Sequence, residues 1–290
     1  MTIVKAAAEL RPLPPGLHFV STPIGAARDI TLRALDTLAS ADVLAAEDTR
    51  TLRHLMEIHG VPLNGRPMVA YHDHNAGQAL PRLLGALAEG KSVAYASEAG
   101  TPLVSDPGFE LAREAAARGL PVIAAPGPSA VLCALTVSGL PSDRFLFAGF
   151  PPNAKSARAT FLQELAPVRA TLILYESPKR INQLLGDLAQ YLGGMRQAAV
   201  CRELTKRFEE ITRGTLAELV VAFAEREVKG EIVVVVDRGA EVAADAETVE
   251  KALDHALQAM SVKDAAAAVA EAYGLPRKEV YRMALLRGRE

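Results

Sequence analysis

Ser92-Val93-Ala94-Tyr95-Ala96-Ser97-Glu98-Ala99-Gly100-Thr101-Pro102-Leu103-Val104-Ser105-Asp106-Pro107-Gly108 decides the fold. An apolar run passes into an acid, small residues and two prolines, and then into a helical pattern over Phe109–Arg118. A strand that ends this way builds a shaped loop, because glycine lets a ligand approach the backbone and proline fixes its path. In a parallel sheet such loops line the ligand crevice at the carboxyl ends of the strands.

Outward from this stretch the same grammar repeats. Short apolar runs at Leu17–Ser21, Val43–Ala46, Met68–Tyr71 and Val122–Ala125 read as strands. Between them Ile30–Ser40, Thr51–His59 and Gly77–Glu89 carry three-and-four spacing and read as helices. This alternation predicts a parallel sheet covered on both faces, with right-handed crossovers placing the strand-end loops on one edge. Pro126-Gly127-Pro128-Ser129 reads as a hinge into a second unit. There Phe145–Gly149, Thr171–Tyr175, Ala198–Arg202 and Ile232–Asp237 read as strands, the last central and buried because it is entirely β-branched through Val236. Ser129–Ser138, Lys155–Leu165, Arg180–Leu192 and Leu216–Glu225 read as helices, so this unit is α/β with mixed strand directions. The fold class is therefore two α/β domains with a small helical extension. The divisions are 1–15 as a loose arm, 16–126, 127–239, and 240–290 as helices opening at Thr248, Val262 and Lys278 after the linker Gly239–Asp245.

Composition narrows the function. Half of the 290 residues are hydrophobic, enough for substantial cores, and no apolar stretch approaches the ~20 residues that span a bilayer. A net charge of -2 excludes a generic polyanion binder, so nucleic acid would need a local basic patch. Cys133 and Cys201 make no disulfide framework or zinc spacing and read as buried thiols of a reducing cytoplasm. No phosphate loop, dinucleotide fingerprint or nucleophile elbow is present, which argues against nucleotide hydrolysis, dinucleotide redox chemistry and serine hydrolysis.

Five strand ends carry polar or glycine/proline clusters: Ser21–Gly25, Glu47–Arg50, His72–Asn75, Ser97–Pro102 and Pro126–Ser129. Singly each suits a helix cap, with Asp29, Asp48 and Asp106 as capping residues; together they point to a site. His72 and His74 would share a face if they lie on a strand, but no third metal ligand is evident, and His72 equally suits a hydrogen bond to substrate. In the second unit Lys179, Arg180, Arg202, Lys206, Arg207 and Arg213 offer a basic patch, or else a set of solvated ion pairs.

The ordered set S-T-P-I-G-x-x-x-D-I-T, A-A-E-D-T-R, H-D-H-N, S-E-A-G-T-P-L-V-S-D-P-G, P-G-P-S-A, G-L-P-S-D-R-F, Y-E-S-P-K-R, R-E-L-T-K and K-G-E resembles the RsmI family of small-subunit ribosomal RNA (cytidine-2'-O)-methyltransferases. That family is a branch of the tetrapyrrole-methylase-like fold. The resemblance spans about Gly16 to Arg238 and extends weakly into the tail. It implies S-adenosylmethionine folded in a cleft between the two α/β domains, a homodimer, and a cytidine ribose of the decoding region as substrate, as free RNA or assembled subunit. Carried over by position, Pro23, Ser97, Glu98, Thr101, Ser129 and Ala130 line the cofactor, with backbone near Glu176 and Leu204 closing over it. Two departures stand out: Glu98 where the family has aspartate, and Ala26-Ala27 where it has Asn-Leu.

Methyl transfer to a ribose hydroxyl needs alignment and a base for the leaving proton. Glu47, Asp48 and His72 are the candidates, with Arg50 placed to hold a phosphate. Lys179, Arg180, Arg202 and Lys206 are the candidate RNA contacts, and Tyr71, Phe150 and Tyr175 the few rings available for stacking. A corrin methyltransferase and a non-catalytic RNA-binding relative are the alternatives. The basic strand-end loops disfavour the first, and the intact Ser-Thr-Pro-Ile-Gly and Pro-Gly-Pro-Ser-Ala loops disfavour the second.

Overall fold

A computed structural model describes residues 10–72, 74–104, 108–238, 246–273 and 275–287. Two compact units are present, one through Arg238 and one from Gly239 onward.

The larger unit begins with β1 (Gly16–Val20), α1 (Leu32–Ser40), β2 (Val43–Ala46), α2 (Thr49–Ile58), β3 (Met68–Ala70), α3 (Ala76–Ala88), β4 (Ser92–Ala96), α4 (Phe109–Ala117) and β5 (Val122–Ala125). The five strands form one parallel sheet in the order β3-β2-β4-β1-β5. β1, β2 and β4 are buried along their whole length, as expected of strands covered on both faces. One face packs Leu83, Leu87 and Leu111 against Tyr95. The other packs Leu35, Leu38, Leu52 and Met56 against Leu44 and Ala96.

The chain then forms α5 (Ala130–Ser138), β6 (Phe145–Gly149), α6 (Lys155–Leu165), β7 (Thr171–Glu176), α7 (Ile181–Leu192), β8 (Gln197–Arg202), β9 (Glu210–Thr215), α8 (Leu216–Phe223) and β10 (Ile232–Val236). Their sheet runs β6-β7-β10-β8-β9, with β6 parallel to β7 and the remaining pairs antiparallel. The Ile232–Val236 strand is fully buried at its centre.

Several local expectations are corrected. Thr31, not Asp29, caps α1: its hydroxyl accepts from Ala34 N at 3.1 Å, while Asp29 ends a short 3-10 turn over Ala27–Asp29. β3 stops at Ala70, so His72 and His74 follow the strand and the shared-face argument for them lapses. β9 escapes sequence reading because Glu-Ile-Thr-Arg-Gly-Thr is polar, carries a glycine and lies at a sheet edge. Residues 10–15 are docked rather than loose: Leu13 packs on the α1 face, and His18 Nε2 lies 2.9 Å from the Pro14 carbonyl. Residues 1–9, Asp73, Asp106 and the linker Gly239–Asp245 lie outside the described residues.

The smaller unit is α9 (Ala246–Leu257), α10 (Val262–Tyr273) and α11 (Arg277–Arg287) around Leu253, Val269 and Val280. Ser261 opens α10, its hydroxyl accepting from Asp264 N at 3.2 Å. No helix among the described residues is long and apolar enough to cross a membrane.

Candidate active site

The loops after β1, β4 and β5 are tied to one another by neutral hydrogen bonds. Thr22 and Gly100 exchange both backbone bonds, N to O, at 2.9 and 3.0 Å. Thr22 Oγ1 donates to Ser97 O at 3.1 Å, and Ser97 Oγ donates to Gly100 O at 2.5 Å. Thr101 Oγ1 donates to Pro128 O at 2.9 Å. Gly127 lies so close to Ser21 that a Cβ there would sit 2.9 Å from Ser21 Cβ. The glycines and small hydroxyls of these motifs are therefore what three chain segments need to meet at one sheet edge.

Facing them, the loop after β8 is fastened by ions. Glu203 Oε1 accepts from Lys206 Nζ at 2.9 Å and from Glu231 N at 3.0 Å, and Lys206 also reaches Glu231 at 3.0 Å. Lys206 and the Glu231 amide hold the Glu203 carboxyl below its usual range. For Lys206 burial acts to lower the pKa, but the two carboxylates outweigh it and the net shift is upward. A Cβ on Gly230 (φ +91) would collide with the Glu203 side chain, which explains the glycine in Lys229-Gly230-Glu231. Alongside, Glu210 Oε2 accepts from Arg202 Nη2 at 3.0 Å and is also bound by Arg226. The network holds Glu203 (φ 52) and Thr205 (φ 64) in left-handed backbone, unusual for residues other than glycine.

This strained loop meets the first one. Ala26 N donates to Thr205 Oγ1 at 3.1 Å. A Cβ on Gly25 would lie 2.5 Å from Lys206 Cγ and 3.0 Å from Leu204 O. The Ala26-Ala27 segment is held through its backbone, with Ala27 O 2.8 Å from His59 Nε2.

Between the two sets of loops lies a cavity of about 390 Å³, within the range of small-molecule sites. Ile24, Val104, Ile232 and Val233 give it apolar walls. Thr101, Ser129, Ala130 and Glu176 also line it, four of the eight positions the resemblance implied. Pro23, Ser97, Glu98 and Leu204 do not. Ser97 is buried and braces Gly100, Leu204 is buried in the core that α5 forms with the second sheet, and Glu98 is exposed. Phe150 and Tyr175, two of the three rings offered for stacking, line the cavity, and Tyr71 is buried in the core instead. Sequence reading missed Glu231 as a wall residue; K-G-E was the signal that could have placed it.

Glu47, Asp48 and His72 lie at the ends of β2 and β3, outside the cavity lining. Asp48 caps α2, accepting from Arg50 N at 2.7 Å, and pairs with the Arg50 guanidinium at 3.0 Å. That guanidinium holds the Asp48 carboxyl below its usual range. His72 N donates to Asn75 Oδ1 at 2.9 Å, and the His72 and His74 rings are 6.1 Å apart. Among the described residues no three His, Cys, Asp or Glu side chains gather to hold a metal ion. Arg180 Nη2 donates to Pro151 O at 2.7 Å, and Arg213 in β9 donates to the carbonyls of Val137 and Ser138. Lys179 and Arg207 are exposed, Arg207 stacking on Phe208 at 5.4 Å.

Comparison with known proteins agrees with this geometry. Residues 16–220 match the family of Tetrapyrrole (Corrin/Porphyrin) Methylases, and residues 242–288 match the RsmI C-terminal HTH domain. The uroporphyrin-III C-methyltransferase of Thermus thermophilus, solved with S-adenosyl homocysteine, superposes with a TM-score of 0.53 at 21% identity, covering 77% of this chain and 97% of that one. A parallel sheet joined to a mixed sheet across such a cleft defines an S-adenosylmethionine-dependent methyltransferase of the tetrapyrrole-methylase class. Ribosomal RNA small subunit methyltransferase I of Mesorhizobium japonicum is 49% identical over 95% of this chain and 93% of its own length. Its counterpart in Xylella fastidiosa is 45% identical over 92% and 98%. The chain belongs to the ribosomal RNA small subunit methyltransferase I family.

Proposed function

We propose that the chain transfers a methyl group from S-adenosylmethionine to the 2'-hydroxyl of a cytidine in small-subunit ribosomal RNA, near the decoding centre. The observation that carries this reading is the 49% identity, over 95% of the chain, to a protein named for that RNA. The ordered motifs from Gly16 to Arg238 point to the cytidine ribose, and the match of the tail to a helix-turn-helix domain supports RNA over a corrin. We take 16–126 and 127–239 as the two α/β domains, flanked by the arm and the extension. A homodimer is supported by the sheet edges, where β5 exposes Val122 and β6 exposes Phe145 and Leu146. A cytoplasmic setting fits two free cysteines, the Cys201 thiol pushed up to about 12 by burial.

The cavity suits the cofactor. Its apolar walls take a planar base, and the buried Glu176 Oε2 has no aligned hydrogen-bond donor, although Arg180 Nη2 lies 3.0 Å away. When bound, S-adenosylmethionine supplies an activated methyl on a sulfonium. Thr101, Ser129, Ala130 and Glu176 hold and orient; Ser97 acts through Gly100, and Leu204 through the loop it anchors. Glu47, Asp48 and His72 are candidates to accept the hydroxyl proton. Asp48 is already engaged, its carboxylate capping α2 and pairing with Arg50. Arg50 is exposed, and a surface pair of this kind is weak enough to trade for a phosphate. Lys179 and Arg207 are likewise exposed and open to phosphate, while Arg180, Arg202 and Lys206 serve mainly to shape the loops.

Labelled-methyl transfer to small subunits lacking modifications, followed by nuclease mapping, tests the reading. A single 2'-O-methylcytidine is expected. Methyl incorporation into a base, or none with the cofactor bound, overturns it. Glu47→Gln and His72→Asn then identify the base, whose loss is expected to cost roughly a hundred-fold or more in kcat.

A further inference from the structure

Phe150 occupies an unusual position. It follows β6, whose register against β7 slips between Phe147 and Gly149, and Gly149 turns with φ +71. Nothing lies within 4 Å of a Cβ built on Gly149, so the glycine is there for its conformation and not for lack of space. Bulges of this kind re-aim side chains. Here Phe150 is left 57% exposed while still lining the cavity, at its rim.

The segment that carries it is pinned carbonyl by carbonyl. Arg180 Nη2 donates to Pro151 O at 2.7 Å; Arg158 Nη1 donates to Pro152 O at 3.2 Å and to Asn153 O at 2.9 Å. Each arginine is neutralised by its own carboxylate, Arg180 by Glu176 at 3.0 Å and Arg158 by Asp187 at 2.6 Å. Arg158 and Glu176 are almost wholly buried. The ring itself rests edge-on against Tyr175, centroids 5.4 Å apart, and Tyr175 rests against Phe147 at 4.8 Å. A surface loop fixed at three successive carbonyls by two ion pairs is far more rigid than packing of one exposed ring requires, whereas a binding platform needs such support.

We infer that Phe150 is the stacking platform for the base of the target nucleotide, with Arg180–Glu176 and Arg158–Asp187 as its positioning pairs. The inference rests on the RNA-methylation reading. Phe150 is suited to the substrate because it stands at the rim, open to a macromolecule, while the apolar recess behind it takes the cofactor. An exposed aromatic face is what a base needs once it leaves its own stack.

Phe150→Leu keeps the apolar bulk and removes the π-face, and Phe150→Tyr restores it. RNA KM and kcat, direct binding of a decoding-region RNA without cofactor, and cofactor Kd by calorimetry are measured for each variant. Phe150→Leu is expected to weaken RNA binding and raise RNA KM roughly ten-fold, with cofactor Kd changed less than two-fold, and Phe150→Tyr to recover most of the loss. Weakened cofactor binding with unchanged RNA binding would assign the ring to the cofactor and overturn the proposal. No change in either would make Phe150 a packing residue and overturn it too. If the wild-type protein methylates no small-subunit RNA, the functional reading itself falls, and the platform with it.

Discussion

Around the cavity, the loops after β1, β4 and β5 and those after β6, β7 and β8 are held by different forces. The former are knit by hydroxyls and backbone amides: Thr22 to Ser97 and Gly100, Thr101 to Pro128. The latter are knit by carboxylates and cations: Glu203–Lys206–Glu231, Arg202–Glu210–Arg226, Glu176–Arg180 and Arg158–Asp187. A neutral bond nets about 1 kcal/mol, and its loss is local. Removing one partner of a buried ion pair strands a charge and costs several times more. The contrast teaches that basic residues in the second half are mostly part of its architecture, so their number overstates the charge available to RNA.

The largest effect that sharpens the comparison is Arg158→Ala, which strands Asp187 and frees two carbonyls. A stability loss of about 3 kcal/mol or more is expected in urea unfolding. Ser97→Ala, by contrast, is expected to lose about 1 kcal/mol, since Thr22 N still serves Gly100 O. Equal losses would break the contrast. Next comes Gly25→Ala, where the two kinds of loop touch. The added methyl meets Lys206 Cγ and the Leu204 carbonyl and must part the loops. Cofactor affinity is expected to fall roughly ten-fold with little change in unfolding midpoint, because the misplacement lies at the cavity and not in a core. Calorimetry giving wild-type affinity would mean that the contact does not set the cavity.

The same contrast explains what could be read in the sequence. Val43–Ala46, Ser92–Ala96 and Val122–Ala125 match their strands residue for residue, because short apolar runs ending in turn residues have one structural solution in a parallel sheet. Thr101, Ser129 and Ala130 fall on the cavity wall because strand ends of that sheet converge by topology. The second half was legible as elements, and the resemblance placed Glu176 on the cavity wall, but its ion-pair network was not legible. Which carboxylate takes which arginine is a tertiary fact: Glu210 meets Arg226 across sixteen positions and Arg158 meets Asp187 across twenty-nine. Arg202 and Lys206 therefore read in the sequence either as a basic patch or as ion pairs, and the fold gives them carboxylate partners. Phe150 is legible as a candidate stacking ring but its place at the cavity rim is not, since the slip between Phe147 and Gly149 changes which way the next side chain faces.

A smaller effect separates the halves by pH. Arg226, then Arg202, holds the Glu210 carboxyl down to about 2, against opposing burial. A carboxylate with a depressed pKa contributes stability that is complete above its ordinary value, 4.5, and is lost as pH falls toward about 2. Glu210→Gln is expected to flatten the stability profile across that window and leave the slope near neutrality unchanged. The effect is modest, because Glu210 and Arg226 are each about a third exposed and solvent screens them. Urea midpoints followed from pH 6 to pH 2 provide the check, and an acid limb as steep as wild type would show that Glu210 does not set it.

The smallest effect bears most directly on RNA. Each phosphate contact adds about 0.7 to 0.9 to the slope of log affinity against log salt. Lys179 is exposed and has no carboxylate partner among the described residues, whereas Arg202 is bound to Glu210 and Lys206 to Glu203 and Glu231. Lys179→Ala is therefore expected to reduce the salt slope by close to one contact. Arg202→Ala with Lys206→Ala is expected to weaken RNA binding while reducing the slope by less than one contact for two charges removed, because those charges already have partners. Cofactor affinity should hold in Lys179→Ala, which lies outside the cavity lining. A double-variant slope lower by two contacts would show both cations leaving their carboxylates for phosphate, and the distinction between charge used for shape and charge used for binding would fail at the residues where it is drawn most sharply.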